Sequence, residues 1–314
     1  MTQRGWTMGM ASLLLAAALP GCAGEETQPA PTAAIDPAFV AAQAGWRRER
    51  RDALLAPDGW TSLIGLHWIE LPAHYVGSSA DSGLRLALGP PKLGLLQRER
   101  RGLFLTPERG VALTLDGAPL AARAALRDDR DPAPSVVGFD DGRGTLSVIH
   151  RGGREALRVR HADAPTRTGF GRLDYWPADP GWRIDADFRP NPAGTTIEVA
   201  NLIGGVDAMP SPGVVSFVRD GVDYRLAALA GADGGLFLIL ADGTTGHDTY
   251  GAGRYIDTGA PANGRVVVDF NRAYNPPCAF TRYATCPLPP DGNRLSLPVT
   301  AGERTYVPPA SPTS

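Results

Sequence analysis

Beyond residue 57 the chain alternates with a period of two. Leu84, Leu86 and Leu88 are interleaved with Arg85 and Ala87. Val111, Leu113 and Leu115 are interleaved with Ala112 and Thr114, and Trp182, Ile184, Ala186 and Phe188 with Arg183, Asp185 and Asp187. Side chains on a strand point alternately to its two faces, so each run predicts a half-buried strand. Leu236–Leu240 and Val266–Val268 are continuous apolar runs and predict strands buried more deeply. Asp-Gly pairs begin at 58, 116, 141, 220, 233, 242 and 291. Most separate strand-like runs, as hairpin turns do; Asp220-Gly221, between Val214–Val218 and Tyr224–Leu229, is the clearest.

The period is helical only once. Phe39, Trp46 and Ala53 recur every seven residues, Asp36 is placed to cap, Pro37 suits the first turn, and Pro57-Asp58-Gly59 ends the run. The sequence Arg47-Arg48-Glu49-Arg50-Arg51 within it reads as a solvated helix face in preference to an anion site. Without strand–helix alternation a Rossmann or TIM fold is disfavoured, and no repeat of 20–50 residues supports a propeller or solenoid. The expected fold is mainly β: two strand-rich units, sandwich- or barrel-like, behind one N-terminal helix. The expected boundaries are a helix over 36–56, a first β unit over 57–165, a second over 166–306 and a tail over 307–314.

The first 35 residues read as an address. Arg4, the apolar stretch from Met8 to Leu19, and Leu19-Pro20-Gly21-Cys22 resemble a bacterial lipoprotein signal over 1–22. The stretch is shorter than the roughly 20 residues that span a bilayer. Cys22 would be lipidated, and Ala23 after it resembles the default outer-membrane sorting signal. The alternative is ordinary cleavage that leaves Cys22 a thiol. Residues 23–35 read as a flexible tether. The expected location is the cell envelope: the periplasmic side of the outer membrane, held there by Cys22.

Composition narrows the classes further. The 314 residues include 38 glycines and 29 prolines, about a fifth of the chain against about 12 % in average usage, which excludes a long helical bundle. A hydrophobic content of 43 % is enough for a core, and a net charge of −2 gives no field that favours nucleic acid. Lys92 is the single lysine among 31 basic residues, a coding bias and not a recognition signal.

No G-x-S-x-G, H-E-x-x-H, C-x-x-C, P-loop or EF-hand sequence occurs. No cofactor and no metal are predicted. Asp185 and Asp187 share one strand face, which reads as solvated before it reads as a metal pair. Polar and aromatic residues are densest over 242–293. There Asp242, Arg254, Asp269, Asn271 and Asn275 supply carboxylates, a guanidinium fork and amides, and Tyr250, Tyr255 and Tyr274 supply hydroxyls on flat rings. That mixture suits a small polar ligand in a partly apolar pocket. It equally suits turns beside prolines, with Arg254–Asp269 as a buried structural pair.

The strings DGTTGHDTYGAGRY, DFNRAYNPPCAF and CPLPP followed by Asn293, then AGER at 301–304, resemble the prokaryotic domain of unknown function numbered 1684. GWTSLIGLHWIE and the stretch from Gly169-Phe170 to Trp176 look similar too, so the resemblance runs over most of 46–306. It implies no activity, cofactor or catalytic residue. Separately, Tyr75–Ser78 with Leu84–Leu86 resembles forkhead-associated β-sandwiches; Ser78 stands where their phosphate-reading arginine would be, so architecture is implied and phosphothreonine binding is not.

Two functions fit these residues. In the first, the second β unit binds or hydrolyses a small polar ligand, with Asp269 as acid/base, Arg254 as anion clamp, and Asp242, Tyr250, Asn271, Tyr274 and Asn275 around them. In the second, the protein is a non-catalytic envelope scaffold and the same residues lock a proline-rich loop. Cys278 and Cys286 are the two cysteines left once Cys22 is lipidated, and an even count in an oxidising compartment favours a disulfide between them. A two-thiolate metal site and two separate thiols are the alternatives.

Overall fold

In the computed structural model, β-strands make up most of the regular secondary structure. It describes residues 1–3, 5 and 35–309. Residues 4 and 6–34, which hold Cys22 and most of the expected signal and tether, and residues 310–314 of the tail lie outside the described residues. Among those described, no helix is long and apolar enough to cross a membrane.

Helix α1 spans Pro37–Leu55, and the Asp36 carboxylate accepts from the Ala38 N–H at 2.8 Å. Its last carbonyls are taken up by Thr61 Oγ1 on Leu54 O and by Arg167 Nε on Leu55 O. The first half of the chain then supplies β1 (Leu63–Trp68), β2 (Ala73–Gly77), β3 (Leu84–Arg85), β4 (Gly94–Glu99), β5 (Gly102–Pro107), β6 (Thr114–Leu115), β7 (Ala118–Pro119), β8 (Ala124–Leu126), β9 (Val137–Phe139), β10 (Gly144–Arg151) and β11 (Arg154–His161). They form one sheet in the order β1-β11-β10-β9-β6-β7 and another in the order β3-β2-β4-β5-β8. Leu146, Val148, Leu157 and Val159 from the first sheet meet Val76, Leu96, Leu103 and Leu105 from the second, giving a sandwich.

The second half supplies β12 (Arg183–Pro190), β13 (Thr196–Ala200), β14 (Val206–Pro210), β15 (Gly213–Arg219), β16 (Val222–Ala230), β17 (Leu236–Leu240), β18 (Arg254–Asp257) and β19 (Arg265–Asp269). Six of these form a sheet ordered β18-β17-β16-β15-β12-β19, and β13 and β14 form a separate hairpin. The backbones of Tyr255 in β18 and Tyr274 exchange two hydrogen bonds. The chain leaving β19 therefore returns to the opposite edge, and the sheet curls toward a barrel. The sandwich core ends at Ala164 and the second core begins at Trp182; a four-residue helix, α2 (Pro165–Thr168), lies between them. Both cores belong to one compact unit that starts at Ile35.

The Asp-Gly reading holds in the hairpins: Arg219 pairs with Val222 across Asp220 (φ 51°) and Gly221 (φ 76°), a two-residue left-handed turn. Two expectations need correction. Val266–Val268 lies in β19, an edge strand, and Val267 is 37 % exposed, so this apolar run is buried on one face only. The run in β17 is buried on both, because Leu236, Leu238 and Leu240 face the second core while Phe237 and Ile239 face a third cluster. The arginine run of α1 is not wholly a solvated face either. Arg47 donates to Trp176 O at 2.8 Å, and Arg50 Nε donates to Glu303 Oε1 at 3.0 Å. With Gln43 donating to Asp269 Oδ2 at 2.8 Å, these residues dock the helix on the C-terminal half through polar groups.

Candidate functional site

The third cluster joins the two halves. Leu63 and Trp60, from just after α1, meet Val199, Met209, Phe237, Ile239, Tyr255, Tyr274, Ala284 and Cys286. Around it opens a cavity of about 730 Å³, bounded by α1, the β10–β11 hairpin, the β13–β14 hairpin, the outer face of β17–β18 and the loop after Tyr274. Cys278 and Cys286 are joined by a disulfide, with Cα atoms 6.1 Å apart, and the bridge shapes that loop into one wall.

The lining is aromatic on one side. Tyr255 meets Phe237 edge-on at 4.9 Å and Tyr274 edge-on at 5.8 Å. Their hydroxyls are spent on protein acceptors, Tyr255 on Pro287 O at 2.8 Å and Tyr274 on Asp257 Oδ2 at 2.7 Å. Burial is the main reason that both phenols are pushed well above the ordinary tyrosine value. Asp207, also on the lining, accepts from Asn201 Nδ2 at 3.1 Å.

The opposite side carries cations. β10 and β11 turn through Gly152 (φ 53°) and Gly153 (φ 75°), and Arg151 and Arg158 face the cavity from that hairpin. Arg151 pairs with Asp129 at 2.6 Å, and Arg50, on the α1 side, is held by Glu303 and by Asn275 O. Arg158 is different. It is only 8 % exposed, its Nε is unpartnered, and its side chain makes no hydrogen bond or ion pair with any described residue. Its guanidinium carbon lies 5.5 Å from the centre of the Trp60 ring, and Arg160, two residues on, lies 5.8 Å from the same ring. Burial first, then the like charges of Arg160 and Arg151, push Arg158 down to about 10.

Of the residues singled out in the polar cluster, Tyr255 and Tyr274 line this cavity, with Cys286 of the disulfide beside them. Asp269, the acid/base candidate, ends β19; its carboxylate accepts from Gln43 Nε2, the Asn271 N–H and Asn271 Nδ2, and Arg272 lies 3.6 Å away. Asn271 completes that turn by bonding the backbone of Asp179. Arg254 is paired with Asp242, not Asp269, at 2.8 Å with neither side chain exposed, and it also donates to Val299 O and Glu303 O. So enclosed a guanidinium is out of reach of a ligand. Asn275 ties its backbone N–H to Glu303 and its amide to Arg304 O, and Tyr250 donates to Cys278 O at 3.2 Å beside a smaller recess. Asp185 and Asp187 are both bridged by Arg265 on the exposed face.

The sequence reading missed Trp46, Trp60, Arg151 and Arg158. Arg154, Arg158 and Arg160 alternate with the core residues Leu157 and Val159, the pattern of any strand with one wet face. The available signal was Trp60 alone, since an arginine on a wet strand face is ordinary.

With the geometry in hand, comparison with known proteins adds a family. The family described as "Protein of unknown function (DUF1684)" matches residues 168–304. The chain belongs to this family. The match is narrower than the 46–306 resemblance, so the DUF1684 region supplies the aromatic wall and the disulfide loop, while Trp46, Trp60, Arg151 and Arg158 lie upstream of it. A solution NMR structure of an uncharacterised protein from Haloarcula marismortui is 34 % identical, covering 44 % of this chain and 79 % of that one, with a TM-score of 0.37. No curated protein matches the chain.

Proposed function

We propose that this DUF1684 protein is a lipid-anchored protein of the cell envelope that holds a small, largely apolar ligand in the cavity between its two halves. The observation that carries the binding is the cavity itself. Its volume of about 730 Å³ lies within the roughly 300–1,000 Å³ of small-molecule sites, and Trp46, Trp60, Phe237, Tyr255 and Tyr274 give it a mostly apolar lining. The reading is binding and not hydrolysis, because Asp269, the residue on which hydrolysis rested, is engaged in a turn outside the cavity. The anchoring rests on the sequence at Leu19–Cys22.

Two measurements test the two parts. Native mass spectrometry of the purified chain, followed by titration with 4-phenylbutanol read by tryptophan fluorescence, addresses the cavity. Trp46 and Trp60 report binding, and Met209→Trp, which fills the space, abolishes it. A wild-type protein that carries no small molecule and takes up no probe overturns the ligand reading. For the anchor, Cys22→Ser releases the protein from the membrane fraction or leaves it unprocessed; a variant that fractionates and migrates like wild type removes the lipoprotein reading.

A further inference from the structure

We infer that Arg158 anchors the anionic head of the cavity's ligand, which is an amphiphile: an apolar chain or ring that ends in an oxyanion. This rests on the cavity being a ligand site and names the chemical class that it takes. A guanidinium removed from water needs a partner, since an unpaired buried charge is among the most costly groups a fold can hold. Every other cation on the lining has one. Arg151 is on Asp129, and Arg50 is on Glu303. None of the three carboxylates on the lining pairs with Arg158: Glu49 is exposed on α1, and the other two are engaged elsewhere. Asp257 is bonded by Tyr274 and Asp207 by Asn201. Arg158 keeps its Nε buried without a partner and its side chain makes no hydrogen bond or ion pair with a described residue; the charge of Asp129 offsets only part of the repulsion from Arg160 and Arg151.

The surroundings define the rest of the ligand. The Trp60 ring beside the guanidinium lies within the roughly 6 Å at which a cation and an aromatic face attract, and it holds the planar fork in place without using a donor. A fork so held takes a carboxylate or phosphate oxygen pair through charge-assisted hydrogen bonds. The facing wall of Phe237, Tyr255, Tyr274, Val199 and Met209 offers few polar groups, and the two phenols have already donated theirs. An anion with an apolar body satisfies both sides at once. A fully hydrated anion would leave the aromatic wall empty, and a neutral apolar molecule would leave Arg158 unpaired.

The test is calorimetric titration of the purified full chain with three probes that share one body: 4-phenylbutyrate, 4-phenylbutyl phosphate and 4-phenylbutanol. Both anions bind wild type at least about tenfold more tightly than the alcohol, and Arg158→Met brings them down to the alcohol's affinity while leaving the alcohol unchanged. Arg158→Lys restores part of the difference, because an ammonium keeps the charge without the fork. The ratio between the two anions says whether the head is a carboxylate or a phosphate. If anions and alcohol bind equally and Arg158→Met moves neither, the anchor is wrong and the cavity reading stands. If none of the probes binds wild type, both fall. A thermal melt of each variant shows whether a lost signal reflects an unfolded protein.

Discussion

Arg254 and Asp242 meet at 2.8 Å with no side-chain surface exposed on either. The other Asp242 oxygen accepts from Thr244 and from the Val299 N–H, while Arg254 gathers the carbonyls of Val299 and Glu303. One pair thus fastens the turn after β17 to the C-terminal strap that crosses it. Glu303, on the same strap, has its carboxylate buried against Arg50 of α1 and the Asn275 N–H. The polar density over 242–304 holds the N-terminal helix, the curled sheet and the last segment in one arrangement, and that arrangement is what leaves the cavity open above Tyr255 and Tyr274.

Removing one member of such a pair leaves an uncompensated buried charge. Asp242→Asn lowers unfolding free energy by about 3–5 kcal/mol, and Arg254→Met falls in the same range, because the carboxylate and the carbonyls of Val299, Ala301 and Glu303 lose their donor. The double variant costs less than the sum, since neither charge then remains unpaired. Denaturant unfolding of the four proteins measures this; single substitutions that each cost under about 1 kcal/mol would show that the pair is not structural.

The disulfide wall is tested separately. Cys278→Ser with Cys286→Ser lowers stability by about 2.5 kcal/mol, the chain-entropy value for so short a loop. It also weakens probe binding, because Pro277, Ala284 and Cys286 line the cavity. In the intact protein, non-reducing mass spectrometry finds a chain about 2 Da lighter than the reduced one. Two alkylated thiols in unreduced protein would sink the bridge.

How far the sequence carries differs between fold and site. The strand period of Trp182–Phe188, the Asp220-Gly221 turn and the Asp36-Pro37 helix start are local facts, each fixed by a few neighbouring residues, and are legible; of the alternating runs Leu84–Leu88 and Val111–Leu115 only Leu84–Arg85 and Thr114–Leu115 are strand. The packing of one element over another is not local. Nothing in Arg154–His161 says that its arginine face will be roofed by β13–β14 and the loop beyond Tyr274, so Arg158 reads as solvated. The opposite error arises at Arg254 and Asp269. Their residue types suit a ligand, but the partners that consume them, Asp242 for one and Gln43 with Asn271 for the other, are chosen by folding. Tyr274 was visible because it lies within the specific string DFNRAYNPPCAF, although its role as the closing pair of Tyr255 was not.

Buried phenols make the fold sensitive to alkali. Tyr255 is 4 % exposed, and burial raises its hydroxyl well above the ordinary value of 10.0. The unfolded chain then loses this proton before the folded one does. The stabilisation is whole below about pH 10 and is lost as pH rises above it, by up to about 1.4 kcal/mol per pH unit for each such tyrosine. Tyr255→Phe costs about 1 kcal/mol at neutral pH, because Pro287 O loses its donor, yet it declines less steeply in alkali. Comparing denaturant midpoints of the two proteins at about pH 8 and about pH 11 cancels the other titrating groups. Parallel declines would show that Tyr255 ionises as freely in the fold as outside it.

Arg158 separates a ligand anchor from a structural arginine by the sign of a stability change. A structural arginine, like Arg254, stabilises through its bonds, and its loss destabilises. Arg158 has no such bonds, and burial with two like charges nearby pushes it down to about 10, so at neutral pH the empty protein carries its charge at a cost. Methionine keeps the unbranched body against Trp60 and removes the charge. Arg158→Met therefore raises the stability of the ligand-free protein by about 1–3 kcal/mol, on the scale seen when buried charges are replaced by apolar residues of similar volume. For a unit of this size that is a rise of at least about 2 °C in melting temperature. An added anion reverses the order: 4-phenylbutyrate in excess raises the wild-type melting temperature by mass action and leaves the variant where it was. Differential scanning calorimetry with and without the probe reads both effects. A variant that melts lower than ligand-free wild type shows that Arg158 stabilises the empty fold and is not a charge held in wait for a ligand.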